Sequence, residues 1–232
     1  MNKYLRFIFQ PPISKNFMGK LKSNFHVLTP LEMIIYFVFL APFWSKDKRF
    51  FFQGSLLLKG QMYLLERKTL YDIIVNEKPR QCYEIGTFTG GGSTFFLSSA
   101  LQKNGNGTLL TMENDNKLYE KARKYYKNKL SGLNNHINFI FGERPEGFDK
   151  YIPEDKKVDC VFFDGAENSQ QTLDQYHYFK PFFKPGSVIM FHDWNTEKTA
   201  AIRPVIETDT HWSKITELTP PDSIGFAAFR YV

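Results

Sequence analysis

The chain is poor in cysteine, with only Cys82 and Cys160 among its 232 residues. It has no disulfide framework, no Cys-x-x-Cys pair and no His-rich metal cluster. Both cysteines lie in apolar, strand-like runs, so we expect two buried thiols. This cysteine usage predicts a cytoplasmic protein.

The chain also lacks an uninterrupted apolar run of the roughly 18 to 20 residues that a membrane span needs. Its most apolar segment, LTPLEMIIYFVFLAPFW (28–44), contains two prolines and Glu32. We interpret this segment as a helix packed on the core or on a second subunit, with a peripheral membrane contact as the alternative. The N-terminal MNKYLRFIFQPP has too short an apolar run for a signal peptide, and no small-residue cleavage site follows it.

The excess of positive charge is modest, since 30 basic and 24 acidic residues give a net charge of +6. The one dense basic run, KLYEKARKYYKNK (117–129), has helical spacing. We interpret it as a solvated helix face and expect no nucleic-acid partner. The length suits one α/β domain with an appendage. We assign residues 1–55 to an N-terminal extension, which would form a lid or a subunit contact, and residues 56–232 to the domain.

After residue 55, helical and strand patterns alternate. SLLLKGQMYLLERKTLYDIIVNE (55–77) predicts a helix, QCYEIG the first strand and GGSTFFLSSALQKNG the helix after it. Four more strands and their helices follow, and WSKITEL and IGFAAFRYV close the chain with few residues between them. The pattern predicts an α/β fold with a doubly wound, mostly parallel sheet of seven strands, the last two forming an antiparallel hairpin.

The stretch YEIGTFTGGGST places several glycines directly after the first strand. A dinucleotide-binding G-x-G-x-x-G motif is absent, because Phe88 stands where its second glycine belongs. No Gly-Lys-Ser/Thr follows, so there is no P-loop either. The glycines let a ligand approach the backbone, and Ser93 and Thr94 are positioned to cap the following helix.

Ligands of such sheets bind beyond the carboxyl ends of the strands. The polar residues and the glycine expected there are Glu84, Gly86, Glu113, Glu143, Asp164, His192 and Asp193.

YEIGTFTGGGST resembles motif I of the class I S-adenosylmethionine-dependent methyltransferases, and VDCVFFDGAENSQQTLDQYHYFKPFFKPGSVIMFHDW resembles their later motifs. The resemblance covers about residues 56 to 232. It implies the seven-stranded Rossmann-like methyltransferase fold with a C-terminal hairpin, and S-adenosylmethionine as cofactor. The cofactor-binding residues that it implies are Glu84, Gly86, Thr87, Gly90, Ser93, Glu113, Glu143 and Asp164. Among them, Glu84 would lie near the ammonium, Glu113 at the ribose hydroxyls and Glu143 near the adenine.

Relatives similar to catechol O-methyltransferase hold a divalent ion that lowers the pKa of the acceptor hydroxyl. The resemblance places the corresponding metal ligands here at Asp164 and Asp193, with Mg²⁺ or another divalent cation as the metal. Glu167 is either a third ligand or a helix cap. Trp194 is a candidate wall of the acceptor pocket.

His192 and Asp193 are the candidate catalytic residues. His192 is the leading candidate for general base, because an imidazole titrates near neutrality. The alternative is that His192 lies under the site and aims Asp193. His177 is interpreted as a packing or surface residue.

The sequence therefore predicts an O-methyltransferase acting on a small molecule, for example a sugar or polyol hydroxyl, with homo-oligomerisation as an option. A non-catalytic binding or scaffold protein of the same fold is the second hypothesis, and an NAD-dependent oxidoreductase is the third.

Overall fold

The computed structural model describes residue 50 and residues 62–155, 157–220 and 223–232. Nearly all of the predicted N-terminal extension, including the apolar segment 28–44, lies outside these ranges, as does the first part of the predicted helix over 55–77. In the part of the chain that the structure describes, no helix is long and apolar enough to cross a membrane.

Five α-helices and seven strands alternate along the described chain. The helices are α1 (Leu64–Glu77), α2 (Ser93–Asn104), α3 (Asn116–Lys129), α4 (Ser169–Phe179) and α5 (Ile202–Thr208). The strands are β1 (Gln81–Ile85), β2 (Thr108–Glu113), β3 (Ile137–Phe141), β4 (Val158–Phe163), β5 (Phe183–His192), β6 (Trp212–Leu218) and β7 (Phe226–Tyr231). Short 3-10 helices cover Ser131–His136, Pro145–Tyr151, Lys180–Phe182 and Glu197–Thr199.

The strands form one sheet in the order β3-β2-β1-β4-β5-β7-β6. Strands β1 to β5 pair in parallel, whereas β7 pairs antiparallel with both β5 and β6. The predicted fold class, including the C-terminal hairpin, is confirmed. The strand order reverses between β1 and β4, so the crevice beyond their carboxyl ends is where a ligand is expected in this type of sheet.

The helices cover both faces of the sheet because the strands bury side chains in alternation on the two sides. On one face, Leu70 and Ile74 of α1, Phe96 of α2 and Tyr126 of α3 pack in one cluster with Cys82 and Cys160. On the other face, Tyr176 and Phe179 of α4 and Ile202 of α5 pack with Tyr83 and Val161. Both cysteines are buried and free, as predicted.

Local sequence signals explain several element boundaries. Helix α3 begins after Asp115, whose carboxylate accepts hydrogen bonds from the backbone N–H groups of Lys117 and Leu118. Helix α2 ends at Gly105, which adopts the left-handed conformation with φ +74°. The stretch KTAAIRPVIETD (198–209) predicts one short helix, whereas the structure has a 3-10 turn over Glu197–Thr199 followed by α5. The backbone carbonyl groups of Asp193 and Trp194 stabilise the 3-10 turn, because both accept hydrogen bonds from the Thr199 hydroxyl.

Candidate active site

A cleft of about 190 Å³ opens beyond the carboxyl ends of β1 to β4. It is lined by Met62, Ile85, Gly86, Thr87, Phe88, Gly92, Ser93, Met112, Glu113, Asn114, Leu118, Gly142, Glu143, Asp164, Gly165 and Lys198. Six of the eight predicted cofactor-binding residues lie in this lining, and Glu84 and Gly90 do not. The structure thus brings these six residues together at one cleft, and their contact with a cofactor stays a prediction.

Bare backbone forms the floor of the cleft where β1 and β4 end. Gly86 has φ +102°, and a Cβ atom there would lie 2.8 Å from both Cα and N of Gly165. Cβ atoms essentially never lie so close to a non-bonded atom, and the neighbour is backbone that cannot easily move, so the position favours glycine. The turn after β1 is also tied to β2, because the N–H groups of Gly86 and Thr87 donate to the carbonyl of Met112.

Glu84 is fully buried under the glycine turn. One carboxylate oxygen, Oε2, accepts hydrogen bonds from the hydroxyls of Thr94 at 2.7 Å and Thr111 at 2.6 Å. The other, Oε1, has no partner in the described structure. Burial raises the pKa of Glu84 to about 7, and the surrounding hydroxyls offset only part of that effect. This orphaned buried oxygen is a place for a donor.

The hydroxyls of Ser93 and Thr94 do not cap α2, contrary to the expectation from the sequence. The N-cap residue is Gly92, which has no side chain to supply a cap. Thr94 instead donates to Glu84, and Ser93 lines the cleft. The side chains in the first turn of α2 thus contact the buried Glu84 carboxylate and line the cleft.

Gly90 lies against α3. A Cβ atom there would lie 2.8 Å from Cε2 of Tyr126, whose hydroxyl donates to the Gly90 carbonyl at 2.7 Å. In this structure the glycine makes room for Tyr126, a buried side chain of the core. A contact of Gly90 with a cofactor stays a prediction.

Glu113 ends β2 with its carboxylate held by backbone N–H groups. Oε2 accepts from Phe88 at 2.6 Å, and Oε1 accepts from Asn114 at 3.0 Å and Asp115 at 2.9 Å. These bonds fix the carboxylate in the wall of the cleft, directly against Phe88 of the glycine turn. Two carboxylate oxygens can accept about four hydrogen bonds, so capacity is left for a ligand hydroxyl. Glu143 is exposed at the rim of the same cleft.

Three side chains from the ends of β4 and β5 come together beside the cleft. One potential ligand atom from each of Asp164, His192 and Asp193 lies within 4.8 Å of the others. Asp164 also lines the cleft, so the cluster and the glycine floor share a wall. Burial raises the pKa of Asp164, although the neighbouring His192 opposes that shift.

His192 has a carboxylate at each ring nitrogen. Nδ1 lies 3.0 Å from Oδ1 of Asp164, and Nε2 lies 3.2 Å from Oε2 of Glu66 in α1. Burial lowers the pKa of His192, but the two carboxylates outweigh it and raise the pKa well above the usual value. An imidazole with both nitrogens engaged is poorly suited to accept a proton. The geometry therefore favours the alternative, in which His192 lies under the site and orients carboxylates.

Asp193 adopts the left-handed conformation with φ +58°, which is uncommon for a residue other than glycine and is found at functional sites. Its Oδ2 lies 2.9 Å from Nζ of Lys198, a residue that also lines the cleft. Burial lowers the pKa of Lys198, but Asp193 outweighs that effect and raises it, so the amine is an ammonium at neutral pH.

Two other sequence expectations for this edge are corrected. Trp194 is fully buried and packs against Phe191 and Phe229, so it belongs to the core and does not wall an acceptor pocket. Glu167 is exposed and does not cap α4, because the side chain of Asn168 does so by accepting from Gln171. His177 is exposed on α4, as expected.

Sequence reasoning missed Glu66, Lys198 and Phe88. Glu66 had a usable signal, since it stands four, seven and eight residues before the buried Leu70, Ile73 and Ile74 and so lies on the buried face of α1. No sequence signal pointed to Lys198, because it lies in the segment after β5 and only the turn of that segment brings its side chain to the cleft.

The described residues fit both groups that the sequence resemblance implies. For S-adenosylmethionine, the glycine floor leaves room for an aminoacyl chain, and the carboxylate of Glu113 has one acceptor position left for a ribose hydroxyl. For a divalent cation, two carboxylates with adjoining space suit Mg²⁺ or Mn²⁺, which leave other positions to water and substrate oxygens.

Residues 83–194 match the model of a family described as a methyltransferase domain. No curated protein matches the chain significantly by sequence.

Solved structures share the fold. They include the O-methyltransferase TomG from Streptomyces achromogenes in complex with SAM, which is 18% identical with a TM-score of 0.60 over 86% of this chain and 96% of that one. The O-methyltransferase from Bacillus cereus in complex with SAH is 19% identical, with a TM-score of 0.60 over 87% and 97%. The SAH-bound methyltransferase PaMTH1 from Podospora anserina is 15% identical, with a TM-score of 0.56 over 81% and 85%.

The strand order, the cleft at its reversal point and the family match agree. Together they identify residues 83–194 as a methyltransferase domain, on a sheet that shares its fold with these solved methyltransferases.

Proposed function

We propose that the protein methylates a hydroxyl oxygen of a small molecule, with S-adenosylmethionine as the donor and a divalent cation at Asp164 and Asp193. The observation that carries this proposal is the position of Asp164. It lines the cleft beside Gly86 and also belongs to the cluster with His192 and Asp193. Donor and cation would therefore meet at one carboxylate.

S-adenosylmethionine, when bound, supplies a methyl group on a positively charged sulfur. The chain holds it in the cleft over β1 and β2. The bare backbone at Gly86 leaves room for the aminoacyl part, Glu113 would accept a ribose hydroxyl, and the rim at Glu143 would face the adenine. Methyl transfer is an in-line displacement, so these contacts act mainly by alignment.

A divalent cation, when bound, lowers the pKa of the acceptor hydroxyl and so supplies its alkoxide form. Asp164 and Asp193 would hold the cation. In the described structure these carboxylates face His192 and Lys198, so two positive side chains already balance their charge. The cation must compete with Lys198 for Asp193.

His192 would keep the carboxylates in place, since its Nδ1 lies 3.0 Å from Asp164 and 3.6 Å from Oδ1 of Asp193. Its role as general base stays a prediction that this geometry does not favour. Lys198 would present an ammonium to the acceptor side of the cleft, where it can donate to the acceptor oxygen and stabilise the negative charge left when the hydroxyl releases its proton to solvent.

Calorimetry with the purified chain tests the proposal by measuring the binding of S-adenosylhomocysteine and of NAD. Binding of S-adenosylhomocysteine without binding of NAD supports the methyltransferase and rejects the oxidoreductase. Failure to bind S-adenosylhomocysteine contradicts the proposal.

A panel of sugars, polyols and phenols with labelled S-adenosylmethionine then searches for the acceptor and separates an enzyme from a non-catalytic relative. Activity on any acceptor should fall at least tenfold after chelation or in Asp193→Asn. The asparagine tolerates the left-handed backbone, so this variant removes the charge without adding strain. Full activity after chelation removes the metal from the proposal and leaves methyl transfer standing.

A further inference from the structure

Glu66 is a completely buried carboxylate in the first turn of α1, before the residues that match the methyltransferase domain. It nevertheless reaches the end of β5, where Oε2 lies 3.2 Å from Nε2 of His192. A carboxylate is rarely buried unless a charged or hydrogen-bonding partner compensates the loss of water, and His192 is such a partner for Glu66.

The carboxylate of Glu66 accepts hydrogen bonds from three segments of the chain. Oε2 receives the backbone N–H of Tyr63 at 2.7 Å as well as His192. Oε1 receives the Ser223 hydroxyl at 2.5 Å and the N–H of Ile224 at 3.2 Å. With four donors, the carboxylate is saturated and cannot rotate freely. Its Oε2 is thus held in one place relative to His192.

A fixed acceptor at Nε2 determines how the imidazole lies. Nε2 must carry a proton to donate to Glu66, and the ring plane must point toward that oxygen. The opposite nitrogen, Nδ1, then faces Asp164 and Asp193 at 3.0 Å and 3.6 Å. In metal sites, such a carboxylate behind a histidine fixes the tautomer and orientation of the ring.

We propose that Glu66 is a positioning residue, which fixes the His192 imidazole so that Nδ1 faces the carboxylates of Asp164 and Asp193. The inference rests on the proposed role of these two aspartates as cation ligands. Glu66 is not among the residues that line the cleft, and its hydrogen bonds go to Tyr63, His192, Ser223 and Ile224, so His192 is its direct link to the two aspartates.

The first test observes the ring directly. In protein labelled with ¹⁵N-histidine, the Nε2 proton of His192 is expected to give a slowly exchanging NMR signal, because the bond to Glu66 is buried. The signal should persist in Ser223→Ala, which removes a neighbour of Oε1, and disappear in Glu66→Met, which removes the acceptor. Absence of the signal in the unmodified protein overturns the inference, and that measurement needs no variant.

The second test measures the consequence with Mn²⁺ as the probe. Loss of a carboxylate that orients a metal-ligating histidine weakens metal binding by about 10-fold to 100-fold, and because Glu66 acts one residue further from the cation, the expected loss is at the lower end, about 10-fold. We expect this loss in Glu66→Met, partial recovery in Glu66→Gln, which keeps one acceptor oxygen, and a smaller loss in Ser223→Ala, which leaves the carboxylate three of its four donors. Affinity for S-adenosylhomocysteine should stay within about twofold throughout.

A double-variant cycle separates positioning from a general structural effect. If Glu66 acts through His192, Glu66→Gln weakens Mn²⁺ binding no further once His192→Gln is present. Independent, multiplying effects overturn the inference, as does a Ser223→Ala loss equal to that of Glu66→Gln. If the unmodified protein binds S-adenosylhomocysteine but no Mn²⁺, the metal part of the proposed function fails, and the Nε2 proton signal still decides the role of Glu66.

Discussion

Gly86 and Gly165 meet backbone to backbone at the ends of β1 and β4. A Cβ atom at Gly86 would lie 2.8 Å from the Cα of Gly165, and one at Gly165 would lie 2.8 Å from the N of Gly86. The two strands are neighbours at the point where the strand order reverses. The floor of the cleft at this point therefore consists of backbone atoms only, without side chains.

Replacing Gly86 by alanine should be much more costly than replacing a glycine in open space. Gly86→Ala adds a steric clash with Gly165 to the cost of a positive φ, which is about 1 to 2 kcal/mol by itself. Gly105→Ala is the matched control, because Gly105 has φ +74° and nothing within 4 Å of the added Cβ. Urea unfolding should show at least about 2 kcal/mol more destabilisation for Gly86→Ala. Equal losses would mean that the approach to Gly165 is loose.

Glu84 should make the stability of the protein depend on pH. Its pKa of about 7 in the native state lies above that of an ordinary carboxylate, so the native state holds a proton that the unfolded chain has already released. The native state thus binds more protons between about pH 4.5 and 7, and the free energy of unfolding falls as pH rises through this window.

Glu84→Gln stays neutral and should remove that dependence. Between pH 5 and pH 8 the unmodified protein should lose about 2 kcal/mol more stability than the variant does, measured by urea unfolding at both pH values. Glu120→Gln, which changes an exposed carboxylate on α3, should behave like the unmodified protein. Parallel curves for Glu84→Gln and the unmodified protein would show that Glu84 is ionised in the native state.

Glu113→Gln should weaken the binding of S-adenosylhomocysteine at least about tenfold. The carboxylate accepts N–H groups on both oxygens, and glutamine turns one oxygen into a donor that faces another donor. Either the contact to Phe88 or those to Asn114 and Asp115 must break. Calorimetry measures the loss, and Asp115→Asn, which can still cap α3, should bind normally. Unchanged affinity in Glu113→Gln would exclude this carboxylate from the cofactor site.

Lys198→Gln should strengthen Mn²⁺ binding by roughly fivefold. The ammonium lies 2.9 Å from Oδ2 of Asp193 and competes with a cation for that oxygen. The Lys198 side chain is 42% exposed, so the interaction is partly screened and worth about 1 kcal/mol. Titration of Mn²⁺ followed by electron paramagnetic resonance gives the affinity, with Lys103→Gln, at an exposed position in the last turn of α2, as control. Weaker binding in Lys198→Gln would mean that Lys198 assists the cation and does not oppose it.

Much of the site was predictable from local sequence because it sits where strands end. Glu113 is the last residue of β2, and Gly86, Asp164 and Asp193 directly follow β1, β4 and β5, so the strand pattern alone predicts that they lie at one edge of the sheet. Glu84 was expected to line the cleft, but it does not. It lies within β1, one residue before the strand ends, and its side chain is buried against Thr94 and Thr111.

Trp194 shows why side-chain direction escapes a linear pattern. Its position after Asp193 suggested the acceptor pocket, yet the backbone N–H of Trp194 donates to the carbonyl of Gly225 in the turn before β7. That bond pins the segment to β7, and the indole packs onto Phe191 and Phe229. The pairing of β7 with β5 joins distant parts of the chain, so the local sequence around Trp194 did not predict its burial.

The sequence by itself determined the order of helices and strands, the mostly parallel sheet, the glycine turn and the acidic strand ends, because these depend on local periodicity and on backbone conformation. Only the tertiary structure decided that Glu66 lies behind His192, that Lys198 pairs with Asp193 and that Glu84 is sealed under the cleft. These relationships join segments up to 126 residues apart, and their formation depends on how the helices pack across the finished sheet.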